Sequence, residues 1–273
     1  MRNLDGKVVV ITGAGSGIGR ALALDLAGRG SLLALSDVDE AGLAATVAQV
    51  KAAGAAEVRS DRLDVADREA FAAYAVAVVE HFGRVNVVIN NAGVALAGNL
   101  ADLDYDDMEW IVGINFWGVV HGTKEFLPHL IASGDGHVVN LSSLFGLVSM
   151  PGQSAYNATK YAVRGLTEAL REEMLAAGHP VGVTAVHPGG IKTAIARNAR
   201  SALAEDQQSN AKLFDEKLAK MTPEKAASII VKGILRNKAR VLVGWDAHAL
   251  HTGAKLLGSR YQDVVARASR RVL

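Results

Sequence analysis

Seven short runs rich in β-branched residues recur along the chain between longer Ala- and Leu-rich stretches, and this alternation limits the fold more than any other feature. The runs are Val8 to Thr12, Leu32 to Ser36, Val58 to Leu63, Val87 to Asn90, His137 to Leu141, Val181 to His187 and Arg240 to Val243. They read as strands. Between them lie segments with helical spacing: Ile18 to Arg29, Glu40 to Ala53, Arg68 to Phe82, Tyr105 to Leu130 and Ser154 to Ala177. Strands alternating with helices require right-handed crossovers, and so a doubly wound, seven-stranded parallel α/β sheet with helices on both faces. The chain has 273 residues, half of them hydrophobic, and no Pro/Ser/Gly linker divides it. A single domain over residues 1–273 is expected.

Two regions break the rhythm. Thr193 to Met221 is polar and Ala-rich, with widely spaced Ile195, Leu203, Phe214 and Leu218. A small helical lid fits there better than a structureless loop of that length. Trp245 to Leu273 follows the last strand and reads as a terminal helical extension, its apolar side carrying Leu256, Leu257, Tyr261, Val264 and Val265. Two readings of it stay open: packing on its own domain or a partner subunit with the basic face in water, or an anchor at a membrane surface.

Charge and composition remove several classes of function. Lys+Arg 29 against Asp+Glu 28 leaves a formal net charge of +1, with no basic block, which argues against nucleic acid as a partner. The absence of cysteine excludes a disulfide scaffold, a thiol nucleophile and thiolate metal sites, and is compatible with the cytoplasm, where the chain is expected. Asp5 and Lys7 interrupt the N-terminal apolar residues too early for a signal peptide. Gly136 to Thr159 lacks charge but holds Asn140, Ser142, Ser143, Pro151, Gln153, Ser154 and Asn157, too polar for a membrane span.

Directly after the first strand comes Thr12-Gly13-Ala14-Gly15-Ser16-Gly17-Ile18-Gly19, within which a helix opens. A tight strand-to-helix turn needs glycine for unusual dihedrals and for close approach of backbone to a pyrophosphate, whose charge then sits at the positive end of the helix. A purely structural turn remains the alternative. Asp37 ends the second strand, where a carboxylate can accept from an adenosine ribose diol and repel a 2′-phosphate, favouring NAD over NADP; an ordinary N-cap aspartate is the other reading. Asp64 can reach an adenine edge while Val65 packs on the ring, or it caps a turn. Tyr156 and Lys160 in Tyr156-Asn157-Ala158-Thr159-Lys160 share one helical face. A general acid/base tyrosine needs such a neighbour, because a nearby positive charge favours the phenolate. The same spacing also occurs on helices that merely contact a surface.

These elements, together with Asn90-Asn91-Ala92-Gly93 after the fourth strand, Asn115, Ser142-Ser143 after the fifth and Pro188-Gly189 after the sixth, follow one another as they do in the short-chain dehydrogenase/reductase family. The chain resembles that family over roughly residues 5 to 245. The resemblance implies a Rossmann-type oxidoreductase with Asn115, Ser143, Tyr156 and Lys160 as catalytic residues. Ser143 is chosen over Ser142 because it lies 13 positions before Tyr156. Its hydroxyl would hydrogen-bond the substrate oxygen, Tyr156 would move the alcohol proton, and Lys160 would lower the tyrosine pKa and hold the nicotinamide ribose. Asn115 would hold a water linking Lys160 to solvent. The cofactor would be NAD, held by Gly13, Gly15, Ser16, Gly17, Ile18, Gly19, Asp37, Asp64, Val65, Asn91, Ala92, Gly93, Tyr156, Lys160, Pro188, Gly189, Ile191 and Thr193. Asn90 is read as structural.

The positions expected to face the substrate are Val94, Leu96, Leu144, Phe145, Val148, Met150 and Gln153, mostly apolar, so a small hydrophobic secondary alcohol or ketone is the expected substrate. A homotetramer or homodimer is expected through the Tyr105 to Leu130 and Ser154 to Ala177 helices. The alternative function is a non-catalytic NAD-binding regulatory or scaffold protein; an epimerase or dehydratase is a further enzymatic rival. No metal is expected: Asp102 to Asp106 imitates the start of a calcium loop, but Asp107 stands where such a loop needs Gly and Gly113 where it needs Glu.

Overall fold

The computed structural model describes residues 3–202 and 219–269. Its first strand, β1 (Val8–Thr12), is buried at every residue. Val8 and Val10 point into one core, and Val9 and Ile11 into the other. That two-residue alternation between two apolar layers is why the strand reads as a continuous apolar run.

The remaining strands of the main sheet are β2 (Leu32–Asp37), β3 (Val58–Arg62), β4 (Val87–Asn90), β6 (Gly136–Leu141), β7 (Val181–Pro188) and β9 (Arg240–Val243). They lie in the order β3-β2-β1-β4-β6-β7-β9, with parallel pairing throughout. The chain winds outward from β1 in one direction through β2 and β3, then returns to β4 on the other side. This reversal opens a crevice at the C-terminal ends of β1 and β4, where open α/β sheets bind their ligands.

On one face, Leu22 and Leu26 of α1 (Gly17–Ala27), Leu43 and Val50 of α2 (Glu40–Ala52), and Ile230 and Ile234 of α7 (Pro223–Leu235) cover Val9, Ile11, Leu33 and Leu35. The other face holds Phe71, Tyr74 and Val78 of α3 (Arg68–Phe82), Phe126 and Leu130 of α5 (Gly118–Ala132), and Leu170 and Met174 of α6 (Ser154–Ala176). Phe71, Tyr74 and Phe126 meet edge to face with centroids 6.1 to 6.4 Å apart. Asp39, Asp67 and Thr222 cap α2, α3 and α7 by accepting a backbone N–H three residues on, and Pro223 follows Thr222 in the first turn of α7.

Several elements differ from the sequence expectations. The single helix expected from Tyr105 to Leu130 is α4 (Tyr105–Val112, capped by Asp104), a π-helical turn over Gly113–Trp117, and α5. A short second sheet, β5 (Leu96–Ala97) with β8 (Arg200–Ser201), was not foreseen; two-residue strands carry no periodic signal. Within the expected lid, residues 203–218 lie outside the described residues, while Ile191 bridges to Met221 at its base. The C-terminal extension is two helices, α8 (Trp245–Leu257) and α9 (Tyr261–Ser269). Of the apolar side expected on it, Tyr261 and Val265 are half-buried, but Leu256, Leu257 and Val264 are exposed. Among the described residues no helix is long and apolar enough to cross a membrane.

Candidate active site

The glycine-rich turn is built at the limit of backbone approach. Gly13 has φ +66°, and a Cβ on it would lie 2.7 Å from the Ala92 Cα; a Cβ on Gly19 would overlap the Gly13 carbonyl oxygen. Ser16 precedes α1 without a side-chain cap, so the first N–H donors of the helix face the crevice uncapped. This cradle of glycines and open donors fits a pyrophosphate. Asp37 reaches across it: Oδ2 accepts from Gly15 N at 2.7 Å, and Oδ1 accepts from Asp39 N at 2.9 Å. Arg20, which sequence reasoning passed over, donates to Thr46 Oγ1 at 2.8 Å, to the Gly42 carbonyl at 3.1 Å and to the Gly15 carbonyl. Its guanidinium thus braces the turn from behind.

Asn91 holds the same turn from the β4 side. Its Nδ2 donates to the Thr12 and Gly13 carbonyls, each at 2.9 Å, and Thr12 Oγ1 accepts from Asn91 N and Ala92 N at 3.1 Å. Asn90 is buried beneath, its Nδ2 donating to Asn140 Oδ1 at 2.8 Å and Thr123 Oγ1 at 3.1 Å. Asp64 is exposed and accepts from Ala66 N at 2.9 Å. Val65 does not present an open face for an adenine ring: it is 6% exposed, in the α3–α5 core and against Gly118.

Past β6 the two serines part. Ser142 Oγ turns into α6 and donates to the Lys160 carbonyl at 2.7 Å. Ser143 is half-buried, and its Oγ accepts from Phe145 N at 3.1 Å. Tyr156 and Lys160 lie one turn apart on α6, with Lys160 Nζ 5.6 Å from the Tyr156 ring centroid and donating to the Leu141 carbonyl at 3.1 Å. Burial pushes the Tyr156 phenol above its ordinary pKa, and hydrogen bonding with Ser143 pulls the other way. The Lys160 ammonium, expected to lower that pKa, does not reverse the shift; burial brings Lys160 itself down to about 8. Asn115 sits on the π turn. Its Oδ1 accepts from Val94 N at 2.8 Å, and its Nδ2 donates to the Val94 carbonyl at 2.9 Å and Thr159 Oγ1 at 3.3 Å. With both amide hydrogens used in this way, Asn115 pins residue 94 to α6. π turns inserted in helices recur at functional sites. A Cβ on Gly93 would stand 3.2 Å from Asn115 Oδ1 and 3.3 Å from Lys160 Nζ.

At the end of β7 and just past it, Pro188, Gly189 and Gly190 are half-buried, Ile191 is buried in the α1–α7 core, and the Thr193 methyl faces Gly17 of the glycine turn, 3.1 Å from where a Cβ on Gly17 would be. Of the positions expected to meet substrate, Val94, Phe145, Met150 and Gln153 are half-buried, and Phe145 meets the Tyr156 ring edge-on at 6.1 Å. Leu96 is buried behind Tyr156 with Ile111 and Ala155. Leu144 and Val148 leave the expected pocket: they are buried with Leu147 against Ala247 of α8, because the loop after Ser143 must also cover the C-terminal extension. Asn157, beside Tyr156, holds that loop by donating to the Phe145 carbonyl at 2.7 Å and accepting from Met150 N at 3.1 Å. Sequence reasoning missed this role, although a polar residue next to the motif tyrosine was a usable signal.

A family model for short chain dehydrogenase matches residues 7–204. The chain belongs to the short-chain dehydrogenase family. It is 62% identical over 266 residues to a Mycobacterium tuberculosis protein named "Putative oxidoreductase SadH", covering 97% of this chain and 96% of that one. It is 40% identical over 175 residues to epidermal retinol dehydrogenase 2 of Mus musculus, covering 64% and 57% of the two. Among solved structures, a short chain dehydrogenase/reductase from Burkholderia phymatum in complex with NAD superposes with a TM-score of 0.87 at 36% identity, covering 96% of each chain. As a short-chain dehydrogenase, the chain is an oxidoreductase.

Proposed function

We propose that the protein interconverts a hydrophobic secondary alcohol and its ketone with NAD as hydride carrier. The observation that carries this reading is the buried Tyr156 phenol, joined to Ser143 and sharing a helical face with Lys160, whose ammonium stands against Gly93, next to the Ala92 that packs on the glycine turn. The glycine turn would hold the pyrophosphate, Asp37 the adenosine ribose, and Lys160 the nicotinamide ribose. Bound NAD supplies the hydride acceptor. Ser143 donates a hydrogen bond to the substrate oxygen, and Tyr156 takes the hydroxyl proton in oxidation or returns it in reduction. Val94 and Phe145 make the wall beside Tyr156 apolar. The retinol named for the mouse relative is itself an apolar alcohol. Purified protein incubated with NAD and a panel of hydrophobic secondary alcohols should raise nicotinamide absorbance; NAD binding without turnover on any alcohol would favour the scaffold reading.

Cofactor choice follows from Asp37. NAD is expected to exceed NADP at least tenfold in kcat/KM, since repulsion of a 2′-phosphate and loss of a charge-assisted hydrogen bond together amount to about 1.4 kcal/mol or more. Asp37→Asn keeps an acceptor for Gly15 N while removing the charge, so it should erode the discrimination without dismantling the turn. Adding Val38→Arg, at a position 54% exposed, should draw preference toward NADP. Wild-type protein that prefers NADP would assign cofactor choice to other residues.

We also infer a homodimer or homotetramer assembled through α4–α5 and α6, where Tyr105 and Trp117 are left 86% and 50% exposed. Light scattering at micromolar concentration should give a multiple of the 28.6 kDa chain, and a monomer would refute the assembly.

A further inference from the structure

Asp246 lies in the first turn of α8, 56 residues from the loop it touches. Its Oδ2 accepts from Gly190 N at 2.7 Å. The carboxylate fills the space that a side chain at either of two glycines would need: a Cβ on Gly189 or on Gly244 would sit inside it. Gly244 also has φ +112°, a conformation that only glycine adopts without strain. Two glycines at the ends of adjacent strands, β7 and β9, are thus shaped around one carboxylate.

The peptide at Gly190 is where the segment beyond β7 leaves the sheet and returns to it. Its carbonyl accepts from Lys220 N at 3.1 Å and Met221 N at 3.3 Å, and the Met221 carbonyl accepts from Lys192 N at 2.9 Å. Gly189 N is fixed by the Val243 carbonyl at 2.9 Å. With its N–H held by Asp246 and its carbonyl by Lys220 and Met221, residue 190 has both backbone polar groups partnered, and the Gly189–Gly190 peptide is anchored from the C-terminal extension. From there the chain passes through buried Ile191 to Thr193, whose methyl packs on Gly17 at the start of α1. The carboxylate therefore fixes one side of the crevice to the glycine turn on the other.

We propose that Asp246 is a positioning residue for dinucleotide binding: through Gly190 it holds the 188–193 loop in the shape that receives the nicotinamide half of NAD. This rests on the NAD reading above and extends it to a residue of the C-terminal extension. Removing the acceptor frees the Gly190 peptide to rotate, so cofactor affinity falls while the groups that move the proton stay in place. A residue that only anchored α8 would lower the melting temperature and leave the affinity unchanged.

The test is calorimetric titration of NAD into the wild-type chain, Asp246→Ala, Asp246→Asn, Gly189→Ala and the double variant Gly189→Ala/Asp246→Ala, with steady-state kinetics and melting temperatures alongside. Asp246→Ala should weaken NAD binding and raise its KM about tenfold, with kcat at saturating NAD changed less than about threefold. Asp246→Asn, whose amide oxygen can still accept from Gly190 N, should recover most of the lost affinity. Gly189→Ala should weaken binding on its own, and adding Asp246→Ala should cost nothing further, because the new methyl then has room. If Asp246→Ala does not fold, Asp246→Glu serves in its place, and a folded Glu variant with weakened NAD binding supports the proposal. Wild-type protein that binds no NAD overturns the functional reading and this inference together. Normal wild-type binding with unchanged affinity in the Asp246 variants, or strictly additive losses in the double variant, overturns the inference alone.

Discussion

Tyr156→Phe is expected to lower turnover by about 10²–10⁴-fold, the contribution of a positioned general acid/base, while NAD affinity stays within a few-fold of the parent. The substitution removes one oxygen and nothing else. Phe keeps the edge contact with Phe145 and the packing on Leu96, Ile111 and Ala155, so no cavity forms and the pocket wall survives. The phenol is the group whose environment has been altered by the fold: burial raises its pKa, and it is hydrogen-bonded with Ser143. It is therefore protonated at neutral pH in the free chain, ready to donate in the reductive direction. Single-turnover rates in both directions with calorimetric NAD binding separate chemistry from affinity. Turnover comparable to the parent would remove Tyr156 from the acid/base role; lost NAD binding would mean that the hydroxyl shapes the cofactor site instead.

The sheet was legible because its strands carry their burial in plain sequence: β1, β4 and β6 are buried at every residue, and a parallel strand covered on both faces reads as a near-continuous apolar run, interrupted here only by Thr12, Asn90, His137 and Asn140. The glycine turn was legible for a related reason, since the overlap a Cβ on Gly19 would create with Gly13 leaves only one residue type for the position. The π turn at Gly113–Trp117 was not. A slip of one residue in the helical hydrogen-bond ladder changes no apolar spacing that a periodicity argument can detect.

Side-chain commitments were the least legible part. Leu144 and Val148 follow Ser143 and are apolar, which suits a substrate wall and a seat for α8 equally well; only the position of Ala247 decides between them. Asn115 and Asn91 were placed at the site by resemblance, which said nothing of the bonds their amides make: to Val94 and the Thr159 hydroxyl in one case, to the Thr12 and Gly13 carbonyls in the other. Asp246 meets Gly190 across 56 residues, a separation at which one sequence gives no signal. What the sequence encodes locally is the backbone that brings these groups to one crevice. Which hydrogen bonds they then make depends on the tertiary contacts.

Ser143→Ala should cost about 100-fold or more in kcat, the scale of losing one donor aimed at a developing oxyanion, whereas Ser142→Ala should cost less than about tenfold. The difference lies in where the hydroxyls point. Ser142 is 4% exposed, its proton given to the Lys160 carbonyl at 2.7 Å, and a Cβ on Gly146 would overlap its oxygen. Its loss is thus a loss of packing and of one buried hydrogen bond, about 1 kcal/mol of stability, read as a lower melting temperature. Ser143 Oγ accepts from Phe145 N, and an accepted bond leaves its own proton free to be donated toward the Tyr156 oxygen or a substrate oxygen beside it. Removing it takes away a donor at the reacting centre and leaves the fold nearly untouched. Steady-state kcat and thermal melts therefore separate the two variants: rate falls for Ser143, stability for Ser142. A Ser142→Ala enzyme that is the slower of the two would exchange the assignments and place the substrate oxygen on the α6 side of the loop.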